Sequence, residues 1–166
     1  MRTWFLAVLC TLFASQAFAW EKHQLQARLG AGASFGPQTF LMASTIEYRP
    51  DPYFSFGPGV QWGLSNTTDI FFPTFGGRFI LPRSFWNRQW GERKLGFEAS
   101  LRVAMGAVFR EVNGFRFEDF GFETGINADF FITQDVFIGA GAIATITSAN
   151  DESSFSSFLG TVGVLF

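Results

Sequence analysis

Two segments in the second half of the chain have apolar residues at every other position. The positions between them hold charged residues together with glycine and other small residues. Glu98 and Arg102 lie in one such segment, and Glu123 and Asp129 lie in the next. Opposite charges at this spacing can form ion pairs, and adjacent carboxylates can work as an acid–base pair. Which chemistry applies depends on how the two segments are aligned.

The turn between the two segments predicts their alignment. Asn113-Gly114, flanked by Val112 and Phe115, is typical of a two-residue type I′ hairpin. Such a turn pairs Val112 with Phe115, so facing residues have numbers that add to 227. Arg102 then lies diagonal to Glu123, within reach of a long side chain. We therefore expect an Arg102–Glu123 ion pair.

The same register places Glu98 opposite Asp129, and buried carboxylates need compensating cations. The candidates are Arg28 and Arg78, at inner-face positions of other segments, and Lys94, at an inner-face position of the same segment as Glu98. We interpret this set as a polar network that fills an interior and fixes its packing. A narrow gated pore is the alternative.

The elements that position these residues are predicted to be strands. Apolar residues recur with period 2 along most of the chain, and this period is typical of a strand. Pro58 interrupts one strand, where we expect a bulge or a local bend. Each strand approaches or exceeds the roughly 9–11 residues that a tilted strand needs to cross a bilayer. Eight strands are predicted, over residues 24–35, 39–49, 54–64, 70–81, 94–109, 119–130, 136–147 and a last strand ending at 166.

The two faces of these strands differ in a way that predicts a membrane environment. One face carries nearly all the bulk, including most of the 24 Phe residues, while the other is rich in Gly, Ala, Ser and Thr with charges of both signs. A soluble ligand-binding barrel would bury the bulky face. A small interior with an apolar exterior instead favours an all-β, eight-stranded, antiparallel up-and-down transmembrane β-barrel.

The N-terminus predicts export. Met1-Arg2-Thr3 is a short positive region, residues 4–13 are apolar, and Ala17-Phe18-Ala19 is typical of a cleavage site. We therefore expect a signal peptide over residues 1–19 and a barrel over 20–166, ending without a free tail. Cys10, the single cysteine, lies inside the signal, so no disulfide is expected.

The pattern resembles the small eight-stranded outer-membrane barrels of the OmpX type and the transmembrane domain of OmpA. The resemblance rests on the signal peptide, the strand count, the hairpin over 130–136 and the terminal Val162, Val164 and Phe166. It implies a Gram-negative outer-membrane location, and it implies that these terminal residues form the signal read by the barrel-assembly machinery. In such barrels the connections 50–52, 82–93 and 133–135 would be periplasmic.

Catalysis has little support in the sequence. Outer-membrane lipid-modifying barrels use a hydroxyl nucleophile with a His base, and the single histidine here, His23, is predicted at the periplasmic rim. No metal-ligand spacing or phosphate loop is present, so we expect no cofactor and no metal. The net charge of −2 offers no argument for nucleic acid. A non-enzymatic barrel for envelope integrity or partner anchoring is the favoured function, with a porin-like narrow pore or a lipid-modifying enzyme as alternatives.

One connection departs from the expected short periplasmic turn. Residues 82–93 interleave basic and aromatic side chains, either as an interfacial belt that contacts lipids or as a docking element for an envelope protein. The residues concerned are Arg83, Phe85, Trp86, Arg88, Trp90 and Arg93.

Overall fold

The computed structural model describes residues 25–36, 38–65, 67–81, 96–133, 135–148 and 154–166. They form eight strands in one closed antiparallel barrel, in which each strand pairs with its neighbours in sequence and the first pairs with the last. None of the described residues forms a helix that is long and apolar enough to cross a membrane. The strands are β1 Leu25–Phe35, β2 Thr39–Asp51, β3 Phe54–Leu64, β4 Thr68–Leu81, β5 Gly96–Val112, β6 Phe115–Phe131, β7 Val136–Thr147 and β8 Phe155–Leu165.

The predicted strand count and topology are confirmed, and the bounds of β3 and β7 agree with the sequence pattern. β5 and β6 are longer than expected, at 17 residues each. The pattern loses its alternation where Arg110, Glu111, Arg116 and Glu118 replace apolar residues. The hairpin nevertheless continues through them to the Val112–Phe115 pair, because hydrogen bonds between the two backbones do not depend on which side chains the strands carry.

The β5–β6 turn has the predicted geometry. Asn113 and Gly114 both have positive φ, at 50° and 82°, as a type I′ turn requires. Val112 pairs with Phe115, and the predicted register holds along the whole ladder to the Gly96–Phe131 pair. A local turn signal therefore aligns two long strands correctly.

The register shift between β2 and β3 does not lie at Pro58, where a bulge or a local bend was expected. β3 keeps one register with β4 from Phe54 to Leu64, through the Pro58–Phe75 pair. The register with β2 is also the same on both sides of Pro58, and it shifts only between Tyr48 and Asp51. The structure therefore has no bulge at Pro58, although the paired positions skip from Thr45–Gly59 to Tyr48–Phe56 on either side of it.

The orientation of the two faces agrees with the membrane interpretation. Bulky side chains point outward, as Leu29, Ile126 and Phe158 show with exposed fractions of 62%, 63% and 61%. Charged side chains point into the lumen and are buried, including Arg78 at 2% and Glu123 at 1%. A soluble barrel would show the reverse, because its apolar side chains would leave water on folding.

Candidate functional site: the barrel lumen

Two clusters of buried apolar residues lie toward the two ends of the lumen. The hairpin end is the end that carries the Asn113-Gly114 turn, and the terminal end is the one where β1 begins and β8 ends. Ile70, Phe72, Val108 and Phe155 pack together near the hairpin end. Phe131, Phe137 and Leu165 pack together near the terminal end. The charged residues of the lumen lie between or beside these clusters and are largely shielded from water.

Glu47, on β2, is the centre of the charged layer. Arg78 binds it at two points, with Nε 2.8 Å from Oε2 and Nη2 3.0 Å from Oε1. Arg102 Nε lies 3.3 Å from Oε1, and Ser55 donates its hydroxyl to Oε2 at 2.7 Å. The carboxylate therefore compensates two guanidinium groups from β4 and β5 across the lumen.

The expected Arg102–Glu123 contact is present as a direct ion pair between Nη1 and Oε1. Gln61 donates to the other carboxylate oxygen of Glu123 at 2.6 Å. Arg102 also donates to the Thr74 hydroxyl at 3.2 Å. Through Arg102, Glu47 and Glu123 belong to one continuous network.

A second pair lies toward the terminal end. Arg28 binds Asp129 through both of its terminal nitrogens, each 2.6 Å from a carboxylate oxygen. Its guanidinium carbon lies 4.6 Å from the centre of the Phe137 ring. Asp129 is therefore neutralised by Arg28, one of the candidates named from the sequence, and the ring places this pair against the terminal apolar cluster.

Glu98 has a partner that the sequence had not singled out. Arg49 binds its carboxylate with nitrogen–oxygen distances of 3.0 and 3.3 Å, and it also donates to the Pro52 carbonyl at 2.9 Å. Arg78, a candidate cation for Glu98 or Asp129, binds Glu47 instead. Lys94, the third candidate, lies outside the described residues. Period-2 alternation does place Glu47 and Arg49 on the inner face, and this was the signal that could have found them.

The four ion pairs of the lumen balance in charge. Each guanidinium has a carboxylate partner at hydrogen-bond distance, and three of the four pairs are bound through two nitrogens. Such pairs cost desolvation energy and are strongly destabilised when one partner is removed. The balanced groups are Arg28, Arg49, Arg78 and Arg102 with Asp129, Glu98, Glu47 and Glu123.

Little space remains among these side chains. A cavity of about 30 Å³ lies in the charged layer, lined in part by Arg28, Thr45, Gln61 and Arg102. That volume holds about one water molecule. Among the residues that the structure describes, the side chains of the charged layer are therefore closely packed around this cavity.

Other predicted site residues have the following positions. The basic and aromatic residues of 82–93 and the histidine at position 23 lie outside the described residues. Within the described parts of the chain, no group of three or more His, Cys, Asp or Glu residues could hold a metal.

Val162 and Phe166 point outward with exposed fractions of 49% and 62%. The Phe166 backbone N–H binds the Leu25 carbonyl at 2.8 Å, so the last residue helps to close the barrel.

Comparison with known proteins agrees with this architecture. No protein-family model and no curated protein sequence matches the chain. Among solved structures, the chain is similar to the N-terminal β-barrel domain of Pseudomonas aeruginosa OprF, with 10% identity and a TM-score of 0.64 over 88% of this chain and 100% of that one. It is similar to Neisserial surface protein A (NspA), with 13% identity and a TM-score of 0.55 over 86% and 96% of the two chains.

A third similar structure is the outer membrane enzyme PagL, with 10% identity and a TM-score of 0.55 over 85% and 99% of the two chains. At these identities the likeness concerns the fold, because one barrel architecture serves unrelated activities. The OmpX- and OmpA-like architecture expected from the sequence is confirmed by these structures and by the closed eight-stranded sheet. The chain has the fold of the small eight-stranded outer-membrane β-barrels.

Proposed function

We propose that this protein is a non-enzymatic barrel of the bacterial outer membrane, with a structural role in the envelope or a role in anchoring a partner. The observation that carries the proposal is the filled lumen. Four balanced ion pairs and two apolar clusters occupy it, and a cavity of about 30 Å³ remains in the charged layer. A barrel with such an interior acts through its exterior and its loops.

The exterior supports the proposed location. Side chains such as Phe75, Phe79 and Phe130 are 58–59% exposed, and in water this band would be a large unfavourable apolar surface. A closed barrel leaves no unpaired strand within the hydrocarbon layer, which an open sheet would do. Insertion in lipid satisfies both conditions, and export through the signal over residues 1–19 would deliver the chain to that membrane.

Planar-bilayer recording tests the central claim. We expect the purified wild-type barrel to give no ion steps under conditions where a porin, reconstituted in parallel, conducts. Arg102→Ala removes the link between Glu47 and Glu123 and should also stay closed, because the apolar clusters remain. Regular conductance steps from the wild-type barrel would contradict the proposal and favour the narrow-pore alternative.

The anchoring role calls for a separate experiment on the loop over 82–93. Deleting residues 87–91 removes Arg88 and Trp90 while leaving every described strand intact. If the loop docks an envelope protein, a partner that co-purifies with the wild-type barrel from solubilised membranes should be lost, while heat-modifiable migration of the folded barrel is unchanged. Retention of the same partner by the deletion variant would refute docking through this loop.

The enzymatic alternative predicts a change in lipid. A lipid-modifying barrel would need its single histidine as a base. We expect lipid A from cells that express His23→Ala to have the same mass spectrum as lipid A from cells that express the wild-type protein, and both to match cells without the protein. A mass shift that depends on the wild-type protein and disappears in the variant would overturn the non-enzymatic proposal.

A further inference from the structure

The β5–β6 hairpin extends past its neighbours on one side. Its two strands have 17 residues each, and β4 accompanies β5 as far as the Thr68–Val112 pair. The ladder between β6 and β7 ends at the Gly121–Thr147 pair. Among the residues that the structure describes, no strand pairs with the part of β6 between Phe115 and Phe120 on its β7 side. This segment is the open edge of the sheet.

The backbone groups along the open edge have a defined direction. Ser148 contacts both polar backbone groups of Phe120, donating its N–H to the carbonyl at 2.9 Å and accepting from the N–H at 3.3 Å through its hydroxyl. Because backbone groups alternate sides along a strand, those of Glu118 and Arg116 point the same way. An edge of this kind is a template for another strand.

We propose that the open edge pairs antiparallel with the open edge of a second copy of this chain. Because the backbone groups of Arg116 and Glu118 both point toward the open edge, Arg116 can face Glu118 of the second copy as a hydrogen-bonded pair. By two-fold symmetry, Glu118 then faces Arg116 of the second copy. Phe117 then faces Phe117 of the second copy at the two-fold axis. Sliding one strand by two residues keeps the same hydrogen-bonding pattern but places Arg116 opposite Arg116, or Glu118 opposite Glu118. Like charges directly opposite one another are destabilising, so the Arg116–Glu118 register is favoured.

The surroundings of Arg116 favour this register. Glu111 faces Arg116 across the hairpin and accepts from its Nε at 3.1 Å. A guanidinium has five N–H donors, so the remaining ones are available to a second carboxylate. Phe117 is 45% exposed and stacks under Arg110, whose guanidinium carbon lies 5.4 Å from the ring centre. Pairing would complete a charged row on one face of the joined sheet and bring two aromatic rings together on the other.

The symmetry of the pair determines which barrels it can join. The two-fold axis of two antiparallel strands in one sheet is perpendicular to that sheet, so the operation reverses the barrel axis. The two barrels therefore point in opposite directions, with their hairpin ends toward each other. In cells, this contact joins barrels in two apposed membranes rather than neighbours in one membrane. Because the contact is small, we expect weak, concentration-dependent association.

Charge-exchange variants test this register. Sedimentation of the full barrel in detergent micelles measures the monomer–dimer equilibrium of each variant. Arg116→Glu and Glu118→Arg each place like charges opposite one another twice, and each should weaken dimerisation by roughly tenfold or more. The double variant carrying both changes restores opposite charges and should dimerise like the wild type. An equimolar mixture of the two single variants should form mixed dimers, because every facing pair is again Arg with Glu.

Asp69→Arg is the matched control for Glu118→Arg. It also replaces a carboxylate by a guanidinium, but on β4, away from the open edge. Phe117→Cys in a Cys10→Ser background should form an intermolecular disulfide, whereas Phe109→Cys on β5 should not. The proposal is overturned if the wild type stays monomeric at every concentration, as it would if another part of the chain or a different partner covered the edge. Single variants that dimerise as strongly as the wild type would also overturn it.

Discussion

Replacing Glu47 by Gln should be among the most damaging conservative substitutions in the barrel. The residue is 1% exposed, and its carboxylate accepts from Arg78, Arg102 and Ser55. The amide of Gln keeps the shape, but it has no charge and directs its NH2 donors toward guanidinium groups. Arg102 keeps Glu123, whereas Arg78 loses the carboxylate that binds it at two atoms.

The expected magnitude follows from burial. Removing one partner of a buried ion pair costs about 3–5 kcal/mol, because the other charge stays in a poorly solvated place. The exposed Glu111–Arg116 pair provides the matched comparison, since the side chains are 46% and 85% exposed. There, Glu111→Gln should cost under about 1 kcal/mol, because water solvates the arginine that is left. The difference between the two variants isolates the effect of the lumen.

Equilibrium unfolding in urea, with the barrel in lipid vesicles, measures both free energies. Trp62 is 50% exposed on the outer face of β3, so it contributes to the change in tryptophan fluorescence when the barrel leaves the membrane. Adding Arg78→Met to Glu47→Gln should recover part of the lost stability, because the unpaired cation is removed. The reasoning is refuted if Glu47→Gln lowers the free energy of unfolding no more than Glu111→Gln does.

Three further predictions concern packing, the turn and assembly. Gly163→Ala should destabilise the barrel by about 1–3 kcal/mol in the same unfolding assay, because the added Cβ would lie 2.1 Å from the Phe137 ring. Gly160→Ala, whose Cβ meets nothing nearer than 3.9 Å, should be close to neutral, and equal losses would contradict this explanation. Gly114→Val should slow refolding from urea, because a β-branched residue resists the φ of 82° that the turn needs, and unchanged kinetics would count against a role of the turn in setting the register. Deleting Phe166 should reduce the amount of barrel assembled in the outer membrane more than it reduces folding in detergent, and normal assembly in cells would exclude the assembly-signal interpretation.

Part of the lumen could be predicted from the sequence because it depends on one hairpin. Asn113-Gly114 encodes a turn that only a few backbone conformations satisfy, and that turn aligns β5 with β6. The diagonal contact between Arg102 and Glu123 follows from this alignment. The sequence also named Arg28 as one possible partner of Asp129. It could not decide between Arg28, Arg78 and Lys94.

The sequence by itself determined the number of strands, the face taken by the side chains of the predicted strands, and the register of the β5–β6 hairpin. These properties depend on period-2 alternation and on local turn chemistry, which act over a few residues. Only the closed barrel decided that Glu47 would bind both Arg78 and Arg102, and that Glu98 would bind Arg49. Contacts across a lumen depend on the stagger of all the strands and on the shift between Tyr48 and Asp51, which no local pattern encodes.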